Sequence, residues 1–157
     1  YQIIHQTGRS NIEGINNLVP VILGKHEYAS RYHSFAYLNS LALKMSAGVA
    51  DIVISRAGAG TISEIAAWGI PSIVIPIKEE ISHDQRRNAF AYARTGAAVV
   101  IEEKNLTSQI LLSEMERILS DQELQAKMSA SAKKFARSDA ARIIAEELLA
   151  IALEHEK

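Results

Sequence analysis

Between Gly58 and Glu64 the chain reads Gly-Ala-Gly-Thr-Ile-Ser-Glu, a composition suited to holding an anion beside a diol. Glycines leave backbone N–H groups unshielded. Where such a run opens a helix, those groups and the positive end of the helix dipole converge on one spot, which suits a phosphate. The same glycines also fit a plain tight turn between strand and helix. Thr61 and Glu64 carry two readings as well. In one they form a capping box, Thr61 accepting from the Glu64 N–H and Glu64 returning the bond. In the other, the Glu64 carboxylate accepts from both hydroxyls of a ribose, a task for a group with acceptors only. A dinucleotide fingerprint is not supported, because Ser63 stands where its third glycine belongs, and the lysine of a P-loop is missing.

Ser82-His83-Asp84-Gln85 poses the same choice. Ser82 and Gln85 fit a capping box with Asp84 in the first turn. Alternatively, Asp84, Gln85 and Asn88 supply the mixed donors and acceptors that select sugar hydroxyls. His83 reads as a solvated loop residue. His5, His26, His33 and His155 have no metal-ligand spacing, and no Asp-x-Asp pair is present to carry a divalent ion on a diphosphate. No serine elbow points to hydrolysis. Neither a metal nor another cofactor is implied.

The elements that must position these residues alternate. Strands are expected over 2–5, 31–38, 52–55, 72–75 and 97–101. Short apolar runs such as Ile52-Val53-Ile54 and Ile73-Val74-Ile75 mark strands buried on both faces. Helices are expected over 12–18, with a break near Pro20 and a resumption over 22–28, then from Asn39 or Ser40 to Val49, over 61–68 and over 84–95. Three more follow over 106–119, 121–135 and 140–155, with Asn105 or Thr107, Ser120 or Asp121, and Ser138 or Asp139 as caps. The last helices read as amphipathic cover for the sheet or for a neighbouring domain. Such alternation implies an α/β fold, a Rossmann-like parallel sheet with helices on both faces. Ligands of such sheets bind outside the carboxyl ends of the strands, where Gly58-Ala59-Gly60 lies.

Composition narrows the class. The 157 residues carry a formal net charge of −1, which gives no basic field for nucleic acid, and no cysteine, which removes disulfides and thiolate metal sites. No apolar stretch approaches the ~20 residues that cross a bilayer, and the expected location is cytoplasmic. The chain opens at Tyr1 inside an expected strand, so residues 1–157 are expected to be one domain of a fragment, with at least one element missing upstream.

Several segments together resemble the C-terminal, donor-binding half of a family 28 glycosyltransferase. They are Ile4-His5-Gln6-Thr7-Gly8, Ala50-Asp51-Ile52-Val53-Ile54-Ser55-Arg56-Ala57-Gly58, Thr61-Ile62-Ser63-Glu64, Gly69-Ile70-Pro71, His83-Asp84-Gln85, Asn88-Ala89 and Gly96-Ala97-Ala98. The resemblance implies a GT-B fold and inverting, metal-independent transfer of N-acetylglucosamine from UDP-N-acetylglucosamine to a lipid-linked peptidoglycan precursor. It also implies the cytoplasmic face of the inner membrane, with acceptor, base and peripheral membrane contact belonging to an N-terminal half. By the same resemblance Glu64 binds ribose, while Gly58, Ala59, Gly60 and Thr61 hold the diphosphate. Asp84 and Gln85 meet the sugar hydroxyls with Asn88 nearby, Leu38 reads uracil through its backbone, and Arg56 meets ligand or supports the loop. No catalytic residue falls in this chain. Gly60 stands where a bulkier residue is common and Asp84 where an amide is frequent. Alternative readings are the catalytic half of a two-subunit UDP-sugar transferase, or a non-catalytic nucleotide-sugar sensor or interaction module.

Overall fold

The computed structural model describes residues 1–24, 26–78 and 80–154, and of His83 and Glu154 the backbone alone. The chain divides into two compact units, Tyr1–Val49 and Ala50–Lys157.

The first unit is a β-α-β-α run: β1 (Ile3–Gln6), α1 (Ile12–Leu23), β2 (Tyr32–Phe35) and α2 (Ser40–Val49). β1 and β2 pair in parallel, Ile3 opposite Tyr32 and Gln6 opposite Phe35. α1 runs unbroken through Pro20, where a break was expected. The proline removes one backbone donor, yet the helix continues through Val21, Ile22 and Leu23 until Gly24 ends it at φ 54° with its N–H on the Pro20 carbonyl, so the expected resumption as far as Tyr28 does not occur. β2 is shorter than expected, and Leu38 lies beyond it. Asn39 caps α2, its Oδ1 accepting from the Ala42 N–H at 2.9 Å.

The second unit contains β3 (Val53–Ser55), α3 (Ala59–Trp68), β4 (Ser72–Val74), α4 (His83–Ala93) and β5 (Ala98–Val100). α5 (Ser108–Ser120), α6 (Gln122–Phe135) and α7 (Ala140–Glu154) follow. The strands form a parallel sheet in the order β3-β4-β5. Side chains alternate across this sheet and divide the core in two. Val74 and Ala98 pack with Ile62 and Ala66 of α3, Ala89 and Tyr92 of α4, and Ala132 of α6. Ile73, Ile75 and Ile101 pack on the other face with Ile118 of α5 and Met128 of α6. The sheet is therefore parallel and covered on both faces, as expected.

Thr107 and Asp121 cap α5 and α6, accepting from the N–H groups of Ile110 and Leu124. Of the two expected roles for the last helices, cover for the sheet does not hold for α7, because Ile144, Leu148, Leu149, Ile151 and Leu153 on it are all exposed. His155, expected within that helix, falls outside the described residues.

Gly69 ends α3 in the left-handed region at φ 69°, its N–H donating to the carbonyls of Ile65 and Ala66. A β-carbon there would also stand 2.4 Å from Lys133 Cε. Gly69→Ala is expected to lower stability by about 1–2 kcal/mol, read as a fall in the urea midpoint at unchanged slope.

Candidate functional site

β3 and β4 are adjacent and parallel; β3 leads through a short loop into α3 and β4 through a longer one into α4, and both helices pack on the same face of the sheet. The first turns of α3 and α4 therefore open along one edge, the carboxyl edge, where a ligand of such a sheet is held.

At α3 the helix starts earlier than expected. Gly58 is the N-cap, with extended backbone (φ −63°, ψ 142°), and no side chain caps the helix. Its carbonyl accepts from the Ile62 N–H at 2.9 Å, which makes Ala59, Gly60 and Thr61 the first turn. The Thr61–Glu64 capping box is thus not formed. Thr61 lies inside the helix, where it cannot act as the cap, and Glu64 is six residues past Gly58. The corner is open: a β-carbon at Gly60 would have nothing within 4 Å, and one at Gly58 would meet only the Thr61 hydroxyl at 3.7 Å. Helical side chains lean toward the N-terminus, so Glu64 leans back toward this corner from the second turn. Glu64 is exposed, and among the described residues nothing holds its carboxylate.

At α4 the cap residue Ser82 likewise makes no side-chain cap bond, so the Ser82–Gln85 capping box is not formed either. Gln85 turns to the preceding loop instead, its Oε1 accepting from the Ile77 N–H at 3.3 Å. Its amide NH2 is the end left to donate. Asp84 is exposed in the first turn and Asn88 is half-buried one turn on, the same side as Asp84 by helical spacing. His83 opens α4 and does not belong to the loop. Its side chain lies outside what is described.

Arg56 follows β3 directly. Its Nη2 donates to Glu103 Oε1 at 2.8 Å and its Nη1 to the Ile75 carbonyl at 3.4 Å, so it braces the loop. The Arg56 guanidinium holds the Glu103 carboxyl below the usual range; burial opposes this, and the Lys78 backbone N–H and charge add to it. The neighbouring Glu102 carboxyl is lowered by Arg86 and then Lys104, whose nitrogens stand 2.6 Å and 3.3 Å from it. Both carboxylates keep their ion pairs above the ordinary carboxylate range and lose them as pH falls through the lowered values.

Leu38 belongs to the first unit, where it is buried and its N–H donates to Gln6 Oε1 at 2.8 Å. Its carbonyl is the backbone group that remains. Gln6, Glu102 and Glu103 were not among the residues the sequence marked as candidates. Among the described residues no group of three or more His, Asp or Glu is placed to hold a metal ion, and no helix is long and apolar enough to cross a membrane.

Two curated relatives bear the name UDP-N-acetylglucosamine–N-acetylmuramyl-(pentapeptide) pyrophosphoryl-undecaprenol N-acetylglucosamine transferase. The protein of Sorangium cellulosum is 35% identical over 151 residues, covering 96% of this chain and 36% of the relative. That of Bifidobacterium longum is 34% identical over 160 residues, covering 96% and 40%. The chain therefore spans about two fifths of the length of these relatives. Among solved structures, MurG of Acinetobacter baumannii superposes with a TM-score of 0.74 at 23% identity, over 92% of this chain and 40% of that one. The glycotransferase of kitacinnamycin gives 0.64 at 21% identity, over 92% and 34%. These likenesses establish the fold of the C-terminal half of a GT-B protein. The model of the glycosyltransferase family 28 C-terminal domain matches residues 1–144, and the chain belongs to that family.

Proposed function

We propose that the full-length protein containing this chain is an N-acetylglucosaminyltransferase. It takes the sugar from UDP-N-acetylglucosamine and passes it to a lipid-linked peptidoglycan precursor, with inversion and without a metal ion. This chain supplies the donor site, and the acceptor site, the base and the contact with the cytoplasmic face of the membrane belong to an N-terminal half. By itself the chain holds donor without turnover.

The observation that carries this reading is the open start of α3: a glycine cap with no side chain on it, at the carboxyl end of β3. As an acceptor hydroxyl attacks the anomeric carbon, the bond to UDP breaks and negative charge grows on the diphosphate. The N–H groups of Ala59, Gly60 and Thr61 and a helix end carrying about half a positive charge are fixed beforehand to receive it. Glu64 grips the ribose diol. Asp84, the NH2 of Gln85 and Asn88 meet the sugar hydroxyls, and Leu38 meets uracil through its carbonyl, its N–H being taken by Gln6.

Titration calorimetry of the full-length protein tests this. Saturable UDP binding that exceeds uridine binding and is unchanged by EDTA is expected, together with transfer of labelled N-acetylglucosamine to a lipid-linked acceptor. Absence of any UDP binding would sink the reading.

A further inference from the structure

Glu103 stands outside every motif of the chain, on the single 3-10 turn Glu103–Asn105 that follows β5. Its carboxylate nevertheless reaches the end of β3, where it accepts from Arg56 at 2.8 Å. The same guanidinium donates to the carbonyl of Ile75, the residue after β4. One carboxylate and one guanidinium thus tie together the carboxyl ends of all three strands of the second unit. On the far side of the same loop, Gln85 of α4 holds the Ile77 N–H. The Glu102–Arg86 pair at 2.6 Å fixes the turn that carries Glu103 to α4 as well.

This brace has a consequence for the anion corner. Arg56 is joined to the cap residue Gly58 only through Ala57, which is fully buried. Whatever fixes the Arg56 side chain therefore limits where the Gly58 cap and the first N–H groups of α3 point. A guanidinium held on two acceptors is fixed in plane and direction; held on one weak carbonyl contact, it swings.

We propose that Glu103 is a positioning residue of the donor site, acting through Arg56 to aim the first turn of α3 at the donor diphosphate. The proposal rests on the donor reading above. Its ligand dependence is specific: the brace acts on the diphosphate corner, so a nucleoside without phosphate does not feel its loss.

The test uses the full-length protein with UDP and uridine as paired probes in titration calorimetry. Glu103→Ala is expected to weaken UDP binding by about five- to tenfold while leaving uridine binding unchanged. Glu103→Gln, which keeps an oxygen acceptor for Arg56, should stay within about twofold of the unsubstituted protein. Arg56→Ala combined with Glu103→Ala should bind UDP no more weakly than Arg56→Ala alone, because the two act as one device. An unchanged UDP affinity in Glu103→Ala overturns the proposal, as does an equal loss for uridine or a double variant whose losses add. Failure of the unsubstituted protein to bind UDP at all overturns the donor reading itself, so the two failures are told apart.

Discussion

Glu64→Ala is expected to weaken UDP binding by a hundredfold or more, the largest effect of any single side chain at the site. A hydrogen bond to a charged group contributes about 1.5–3 kcal/mol, and two such bonds to a ribose diol lost together amount to about 3 kcal/mol or more. The ligand can be varied as well as the protein. UDP lacking both ribose hydroxyls should bind the unsubstituted protein about as weakly as UDP binds Glu64→Ala, and the substitution should cost that ligand little further. Glu64→Gln retains one good acceptor and is expected to fall between, about tenfold down. The fold is not at stake in these variants. Glu64 is exposed and nothing among the described residues bonds to it, while alanine and glutamine are both good helix formers, so the thermal midpoint should hardly move. A hundredfold loss shared equally by the ribose-modified ligand would place Glu64 outside the ribose contact.

What could be read from the residue order was what depends on near neighbours. Short apolar runs marked the strands, and their alternation with helices implied that the sheet is parallel. The Thr107 and Asp121 caps formed as expected because each bonds an N–H three residues on. The start of α3 was misplaced for a local reason: two glycines read as loop, yet Gly60 occupies the first turn. There its amide has no helical partner to lose, and burial of Ile62, Ile65 and Ala66 decides where the helix begins. The same shift removed the capping box at Thr61. Least visible were contacts between distant residues. Gln6 meets Leu38 across 32 positions, and Arg56 meets Glu103 across 47. No spacing rule anticipates such pairs, since they exist only once parallel strands have brought their carboxyl ends together. Arg56 shows the difference most clearly. Its motif position was legible, but its partner was not, and the pair with Glu103 shows the loop-supporting half of the two roles the sequence left open.

Tyr92→Ala is expected to cost about 3–5 kcal/mol, because it empties the largest fully buried side chain of the second unit. Tyr92 packs on the sheet face shared by α3, α4 and α6 and lies against the Phe135 ring at 5.0 Å between centroids. Its loss therefore loosens the helix pair whose first turns form the candidate site. The hydroxyl is a separate matter. It is buried, as is Ser72 Oγ, and neither has a hydrogen-bond partner among the described residues. Burial pushes the Tyr92 phenol up to about 12 from 10.0; the Ser72 hydroxyl nearby pulls the other way, although its geometry does not make a hydrogen bond to the phenol. The neutral phenol is thus favoured in the folded chain. Stability is fully present below pH 10, where both states are protonated. It falls as pH rises toward 12, where the unfolded chain ionises and the folded one does not, a loss on the order of 2–3 kcal/mol. Tyr92→Phe removes an unpartnered polar atom while keeping the ring. It should be neutral or slightly stabilising at pH 7, and should hold its urea midpoint between pH 10 and 12 where the unsubstituted chain declines. The pair of variants separates volume from polarity: a large loss in Tyr92→Phe at neutral pH would mean that the hydroxyl is bonded after all, through a water shared with Ser72. The core would then be held by a polar bridge as well as by packing.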